Sequence, residues 1–246
     1  GSLVMAGFQE RGRGRIGRIW EAGQDSALLC TLLLRYPGLE AMPEALTLRT
    51  GLALALAIEE FAPGFRPEIK WPNDLMLDGK KTAGILTEAD GKIVYIGMGI
   101  NVFQRKFSAG LTNKATSIAL ALDRTGRNPG AGSLQGVALR AADLETGPAG
   151  QDSRLVLLEK ILDAMHREFE SEAPWLDRLE ARLYMKEKPV RFAPGGPDSE
   201  QVVEGILKGI GPGGELLLED ASPAGDGGMR CFTNGELRVY EDAPGQ

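Results

Sequence analysis

The sequence has 246 residues, of which 43% are hydrophobic and 25% charged, and its net charge at pH 7 is −6. This composition predicts a globular protein with one large core and a small second domain, and its acidic balance disfavours binding to nucleic acid by charge alone. No apolar run reaches the roughly 18 residues of a membrane span, so no membrane partner is expected. Two isolated cysteines, Cys30 and Cys231, argue against a disulfide framework and for the reducing cytoplasm.

The N-terminal half is predicted to combine strands with one long helix. Apolar runs at residues 3–8 and 27–34 indicate strands. A helix is expected over residues 43–61, because Pro43 suits a first helical turn and apolar residues then recur at helical spacing. The strands that follow are predicted at residues 68–71, 75–77, 81–88 and 93–101.

The C-terminal half continues with helices and then changes to short strands. Helices are predicted at residues 117–122, from Asp152 or Ser153 to just before Pro174, and at residues 175–183. Residues 124–150 are rich in Gly, Pro and Ala, which indicates a variable insertion. Short strands with glycine turns, which predict a small barrel or sandwich without catalytic residues, are expected at residues 190–192, 202–207, 215–218, 229–232 and 236–240. The predicted domains are therefore 1–185 and 186–246.

The single histidine, His166, restricts the catalytic chemistry. It lies beside the apolar stripe of a predicted helix, where a partly exposed helix residue is expected rather than a general base. A Ser-His-Asp triad and a multi-histidine metal site are accordingly disfavoured.

An arginine- and glycine-rich stretch, residues 11–20, follows the first predicted strand and is called the arginine segment below. Its glycines make it flexible, and its guanidinium groups are bidentate donors for a carboxylate or phosphate. We therefore expect a loop that folds over an anionic ligand. The alternative is an Arg/Gly tail that contacts RNA, but the position between two predicted strands favours the loop.

A rigid bend is predicted at Lys70-Trp71-Pro72-Asn73-Asp74, because proline restricts the backbone while Asn and Asp side chains bond locally. A second turn, Asp78-Gly79, reverses the chain and brings Lys81 back beside the bend. An ammonium group next to a carboxylate can hold a phosphate or carboxylate. A plain hairpin with a solvated lysine is the alternative.

The strand predicted at residues 93–101 carries Gly97 and Gly99, which indicate close approach of a ligand or another backbone. Asn101 ends this strand with an amide that can donate and accept hydrogen bonds. Such a side chain suits recognition of a base edge, and a turn-forming Asn is the alternative.

Four motifs taken together resemble the biotin protein ligases, also called biotin–[acetyl-CoA-carboxylase] ligases. In chain order they are Gly12-Arg13-Gly14-Arg15-Ile16-Gly17-Arg18-Ile19-Trp20, Lys70-Trp71-Pro72-Asn73-Asp74, Lys81 with Ala83-Gly84-Ile85-Leu86, and Gly97-Met98-Gly99-Ile100-Asn101. The resemblance implies an α+β fold, in which a class II synthetase/biotin-ligase-like mixed sheet packed with helices is followed by a small SH3-like β-barrel.

The resemblance also implies an adenylate-forming reaction. The biotin carboxylate attacks the α-phosphorus of ATP, which arrives with Mg²⁺, and a lysine of biotin carboxyl carrier protein then takes the biotinyl group. Catalytic roles fall to Arg15 and Lys81, while Asp74 orients Lys81 or the water shell of a magnesium ion that the protein does not hold alone. The biotin- and adenylate-binding residues are expected to be Gln9, Gly12, Arg13, Gly14, Arg15, Arg18, Trp20, Asn73, Asp74, Lys81, Gly84 and Asn101.

Further expectations concern the partners and the start of the chain. No DNA-binding domain precedes the motifs, so a DNA partner is not expected, and a homodimer is left open. The Ser-Thr-Asn segment with which the family contacts biotin is not in the sequence, which predicts weakened biotin binding. The alternatives are a lipoate–protein ligase-like enzyme with the same adenylation chemistry and a non-catalytic module that binds biotin or adenylate.

Overall fold

A computed structural model describes residues 1–125, 152–196, 199–220 and 227–238. Eleven strands are present in these residues: β1 Ser2–Ala6, β2 Ala27–Arg35, β3 Glu68–Lys70, β4 Asp74–Leu77, β5 Lys80–Asp90, β6 Ile93–Asn101, β7 Pro189–Ala193, β8 Val203–Ile210, β9 Leu216–Asp220, β10 Met229–Phe232 and β11 Glu236–Arg238. The α-helices are α1 Leu46–Phe61, α2 Ile118–Thr125, α3 Ser153–Glu170 and α4 Trp175–Glu180. Every helix in these ranges is too short or too polar to cross a bilayer.

The first sheet has six strands in the order β1-β2-β6-β5-β4-β3. Each of its ladders is antiparallel. Within the described residues, parallel pairing is limited to two single bridges, Ile69 with Leu183 and Lys81 with Ala115. The predicted α+β class is confirmed, but the described sheet is antiparallel rather than the predicted mixed sheet.

The predicted turns place the strands as expected. Asp78 and Gly79 have φ angles of 51° and 73°, the left-handed geometry that a two-residue hairpin requires and that Asp-Gly adopts readily. They join β4 to β5, so that Leu77 pairs with Lys80. Asp74, at the other end of β4, pairs with Gly84 of β5, and its side chain lies beside that of Lys81.

Helices α1 and α3 cover one face of this sheet and form the main core with it. Helix α1 begins at Leu46 rather than at the predicted Pro43, because Ala45 has a left-handed φ of 49° that interrupts the helix there. Inside the core, the Arg49 guanidinium contacts Glu168 of α3 through Nε at 3.1 Å and through Nη2 to the backbone carbonyl. This buried ion pair links α1 to α3.

The second sheet has five strands in the order β10-β9-β8-β7-β11. Its core continues into the first sheet through Trp71, whose ring centroid lies 5.8 Å from that of Phe192 and whose Nε1 donates to Gly214 O at 2.9 Å. The second sheet is thus packed directly on the Trp-Pro bend. The SH3-like barrel stays a prediction, and most of the predicted insertion at residues 124–150 lies outside the described residues.

Candidate functional site

A cleft of about 660 Å³ lies beside β5 and β6 of the first sheet. Its walls come from the arginine segment, the bend at residues 70–74, the strand glycines and β11 of the second sheet. Successive side chains of a strand face opposite sides of a sheet. Ile85 accordingly packs toward α1, near Gly51, while Gly84 faces Trp20 on the cleft side.

Among the described residues, every predicted site residue except Gly12 lines this cleft. Gly12 is buried behind the lining, where its carbonyl accepts a hydrogen bond from Trp20 N at 3.0 Å. A side chain at position 12 would collide with the Trp20 carbonyl. Gly12 is therefore required for the fold of the arginine segment, and its expected part in binding biotin stays a prediction.

The arginine segment folds back on itself. Gly14 N donates to Arg18 O at 2.8 Å, and Arg13 forms an isolated antiparallel bridge with Ile19. This short return places the Arg15 and Arg18 guanidinium groups along the cleft. The predicted loop between two strands is thus observed, folded against the sheet.

Arg15 reaches from this loop to the bend, where its Nη1 donates to Asn73 Oδ1 at 3.3 Å. Burial lowers the pKa of the Arg15 guanidinium, while the carboxylates of Asp74 and Glu236 act in the opposite direction. An arginine remains protonated under such conditions. Arg15 is therefore a fixed positive charge in a partly desolvated position.

Asn73 is held by the strand that follows the bend. Its Nδ2 donates to Ile85 O at 2.9 Å, and Ile85 N donates to Asn73 O at the same distance. The side-chain oxygen is left to accept from Arg15. This reciprocal pairing, which the local chemistry of an Asn in a bend favours, fixes one wall of the cleft.

Lys81 contributes the second fixed cation. Its Nζ lies 2.7 Å from Asp74 Oδ1 and 5.5 Å from the centroid of the Trp20 ring. The backbone of Lys81 is also fixed, because its N–H donates to Lys114 O at 2.8 Å and its carbonyl accepts from Thr116 N at 2.9 Å. The ion pair with Asp74 is the one expected from the hairpin.

Trp20 lies against the glycines of β5 and β6. Gly84 and Gly99 are paired across these strands, and a Cβ at Gly99 would come within 2.6 Å of the Trp20 ring. The absence of side chains at both positions makes room for the indole. The group that approaches Gly99 is thus the Trp20 side chain, not the ligand or backbone predicted from Gly97 and Gly99.

Three buried polar atoms of cleft residues have no hydrogen bond that meets the geometric criteria within the described residues: Trp20 Nε1, Asn101 Oδ1 and Asp74 Oδ1. Asp74 Oδ1 has the Lys81 ammonium 2.7 Å away, so the other two are the unpaired atoms. Asn101 is 3% exposed, and its Nδ2 donates to Thr116 O at 3.0 Å, so the amide orientation is fixed. A buried polar group without a partner is costly. Both residues line the cleft, and the Trp20 Nε1 atom lies over Gly99 of β6.

Several lining residues were not predicted from the sequence, and they include two groups that come from loops or strand ends. One is the loop after β6, with Phe107, Leu111, Asn113 and Lys114, and the other is the start of β11, with Gly235, Glu236 and Leu237. The loop carries no recognisable motif. Glu236 lies 218 residues from its partner Arg18, so no spacing rule could have connected them.

Comparisons with known proteins agree with these motifs. The family model described as the biotin/lipoate A/B protein ligase family matches residues 1–101. The bifunctional ligase/repressor BirA of Bacillus subtilis is 41% identical over 138 residues, which cover 51% of this chain and 42% of that protein. BirA of Escherichia coli K12 is 29% identical over 244 residues, covering 97% of this chain and 66% of that protein.

A solved structure has the same fold. The biotin protein ligase from Aquifex aeolicus in complex with biotin and ATP matches with a TM-score of 0.69 and 24% identity, over 96% of this chain and 88% of that one. The chain spans less than half of the B. subtilis relative, at 42% of its length. The resemblance to biotin protein ligases found in the motifs is confirmed. Residues 1–101 are therefore similar to the biotin/lipoate A/B protein ligase family, and the chain is similar to the bifunctional ligase/repressor BirA of two bacteria.

Proposed function

We propose that the chain is an ATP-dependent ligase, which activates biotin as biotinyl-5′-AMP and transfers it to a lysine of a biotin carboxyl carrier protein. The observation that carries the proposal is that Arg15 and Lys81, from distant parts of the sequence, line one cleft. A carboxylate and a triphosphate repel each other. Fixed cations between them favour both their approach and the charge that develops during the reaction.

The chain's own groups have defined tasks in this scheme. In the first step a carboxylate oxygen of biotin bonds to the α-phosphorus, and the bond to the departing pyrophosphate breaks. Lys81 and Arg15 stabilise the negative charge on the phosphoryl oxygens during this exchange. In the second step the carrier's lysine amine attacks the biotinyl carbonyl carbon, and AMP leaves. The proposed task of the arginine segment is to keep water from the mixed anhydride.

The nucleotide fits the unpaired polar atoms of the cleft. Asn101 Oδ1 is a buried acceptor and Trp20 Nε1 a buried donor, each without a partner among the described residues. An adenine amino group can donate to the former, and a ribose or acyl oxygen can accept from the latter. We therefore assign the Asn101 end of the cleft to the adenylate.

Magnesium would enter with the triphosphate, whose oxygens supply ligands while the ion keeps several waters. Asp74 lines the same cleft as Arg15 and Lys81, so its carboxylate is suited to accept from one of those waters or to hold Lys81. The ion would supply further neutralisation of the departing pyrophosphate. No protein side chain is proposed to hold it alone.

The domain division belongs to the same proposal. We infer a catalytic domain over residues 1–185 and an SH3-like domain over residues 186–246. The separate five-stranded sheet formed by β7–β11 supports this boundary. The contact of β11 with the cleft gives the second domain a part in ligand binding.

The test is biotin-dependent exchange of labelled pyrophosphate into ATP, followed by transfer to a purified carrier domain. We expect exchange with biotin, and a loss of about 10²-fold in Arg15→Ala, the size typical for a group that stabilises developing charge. Arg35→Ala is the matched control, because Arg35 is exposed at the end of β2 and does not line the cleft.

Other outcomes would decide against the proposal. Exchange with lipoate in place of biotin would identify a lipoate ligase. Binding of a biotinyl-adenylate analogue without any exchange would identify a non-catalytic module.

A further inference from the structure

Lys70 is a cation of the cleft that has no task in the proposed reaction. It ends β3 and pairs directly with Asp74 of β4, which in turn pairs with Gly84 of β5. Residues that pair in this way across antiparallel strands have their side chains on the same face of the sheet, about 5 Å apart. Since Asp74 and Gly84 line the cleft, Lys70 lies on the cleft face as well, and it is part of the lining.

Tyr184 lies beside Lys70 at the same end of the cleft. Its N–H donates to Ile69 O at 2.9 Å, and Leu183 forms a parallel bridge with Ile69. Ile69 and Leu183 are both buried in the core that reaches the second sheet. Neighbouring residues of an extended segment alternate between the two faces. Tyr184 and Lys70 therefore share the opposite face, and both line the cleft.

These two residues continue a series of polar groups that crosses the first sheet. Asn101 lies on β6, Lys81 on β5, Asp74 on β4 and Lys70 on β3, and neighbouring strands are about 4.8 Å apart. Asn101 is at the end assigned to the adenylate, and Lys81 is beside the reacting groups. Lys70 and Tyr184 thus extend the cleft past the α-phosphorus, on the side away from Asn101.

A chain of phosphates is the ligand that suits this end of the cleft. When a phosphoryl centre is displaced, the attacking and departing oxygens lie roughly in line, so pyrophosphate departs on the side opposite to the biotin carboxylate. Lys70 and Lys81 approach the Asp74 carboxylate from β3 and β5, and two ammonium groups exceed the charge of one carboxylate. The Tyr184 hydroxyl can donate to a phosphoryl oxygen.

We propose that Lys70 and Tyr184 bind the β- and γ-phosphates of ATP, and hence the departing pyrophosphate. The inference rests on the proposed function for the identity of this polyanion. Neither residue is expected to contact biotinyl-5′-AMP, because that intermediate has no β- or γ-phosphate. Contacts to pyrophosphate and contacts to the adenylate can therefore be measured separately.

The test supplies preformed biotinyl-5′-AMP and Mg²⁺ to the full chain and follows two reactions. In the first, an oxygen of added pyrophosphate bonds to the α-phosphorus, the bond from that phosphorus to the biotinyl carboxylate breaks, and ATP and biotin form. In the second, the lysine amine of a purified carrier domain takes the biotinyl group, and AMP leaves. Only the first reaction uses the proposed site.

Lys70→Gln should raise the KM for pyrophosphate about tenfold, the equivalent of roughly 1.4 kcal/mol, as expected for one charge-assisted hydrogen bond. Transfer to the carrier domain should be unchanged. Tyr184→Phe removes only the hydroxyl group and should raise the same KM about threefold. Lys80→Gln is the matched control, because Lys80 begins β5 and does not line the cleft, and it should alter neither reaction.

Two results would overturn the proposed site. One is a wild-type KM for pyrophosphate in both Lys70→Gln and Tyr184→Phe. The other is an equal loss of both reactions in a folded Lys70→Gln chain, which would mean that Lys70 supports the cleft as a whole. A wild-type chain that neither forms ATP from biotinyl-5′-AMP and pyrophosphate nor transfers biotin to the carrier refutes the proposed function instead.

Discussion

Lys81 Nζ lies 2.7 Å from Asp74 Oδ1, with the lysine side chain 34% exposed and the aspartate 19% exposed. The pair is therefore shielded on the protein side and open to the cleft. The short Asp78-Gly79 hairpin determines this distance, because it folds β5 back along β4. Asp74 thus fixes the direction of an ammonium group that an incoming anion can share.

Removing the Lys81 ammonium group should abolish most of the activity and leave the free energy of unfolding nearly unchanged. We expect Lys81→Ala to slow adenylate formation about 10²–10³-fold, because it removes a preorganised charge beside the reacting groups. Single-turnover release of pyrophosphate measures the rate. Lys80→Ala is the control, since Lys80 is the preceding residue of β5 and does not line the cleft. Equal rates in the two variants would contradict the role assigned to Lys81.

A side chain at Gly99 should displace Trp20. The first added carbon would lie 2.6 Å from the Trp20 ring, so Gly99→Val forces the indole away from the strand. We expect the affinity for a biotinyl-adenylate analogue to fall at least about tenfold, the equivalent of roughly 1.4 kcal/mol. Isothermal titration measures the affinity, and tryptophan fluorescence reports the ring's new environment.

Gly51→Ala is the contrasting glycine variant. A Cβ at this position in α1 would meet Ile85 at 3.6 Å and Ile69 at 3.7 Å, which are ordinary contacts. Alanine should stabilise the helix by about 0.5–1 kcal/mol, because it restricts the unfolded chain more than glycine does. A Gly51→Ala variant with a lower free energy of unfolding than the wild type would contradict this prediction. A Gly99→Val variant that binds the analogue as tightly as the wild type would contradict the previous one.

The buried acid Glu168 should be essential for stability. Its side chain is 1% exposed, and its oxygens lie 3.1 Å from Arg49 Nε and 2.8 Å from Arg178 Nη2. Glu168→Ala would leave the Arg49 charge buried without its partner, at a cost of about 3–5 kcal/mol. Urea denaturation followed by circular dichroism measures the free energy of unfolding.

Glu60→Ala provides the comparison for Glu168. Glu60 pairs with Arg167 at 3.0 Å, but its side chain is 48% exposed. A surface pair of this kind contributes less than about 1 kcal/mol. Similar losses of stability in the two variants would mean that the burial of Glu168 has no energetic consequence.

Cys30 should give the protein a pH-dependent stability in the alkaline range. Burial raises the pKa of its thiol from 9.0 to about 12. Between these values the folded chain keeps a proton that the unfolded chain loses, so the free energy of unfolding falls as the pH rises. From pH 9 to 10 the wild type should lose about 1 kcal/mol more than Cys30→Ala.

Denaturation curves at pH 8, 9 and 10 for the wild type and Cys30→Ala check the size and sign of this effect. Thiol labelling provides a second measurement, since Cys231 is exposed and Cys30 is buried. Ellman's reagent should modify Cys231 in the folded chain and Cys30 only after unfolding. Rapid modification of both thiols, or parallel stability curves for the two proteins, would contradict the prediction.

Local chemistry is what the sequence alone could predict correctly. Asp78-Gly79 specifies a two-residue hairpin and Trp71-Pro72-Asn73-Asp74 a bend, because the preferences of these residues act over only a few neighbouring positions. The pair of Lys81 and Asp74 follows from those two turns. The motifs around them also sufficed to predict the similarity to biotin protein ligases and the α+β class.

The tertiary structure alone decided which distant groups complete the cleft. Glu236 meets Arg18 across 218 residues, and Trp20 covers Gly99 only because the arginine segment folds back onto β6. The burial of Gly12 behind the lining depends on the same fold. Contacts between distant residues depend on how whole sheets and helices pack together, and no spacing within the sequence records that packing. The sequence by itself therefore determined the local turns and the cationic groups, and the packing of the two sheets decided which partners those groups have.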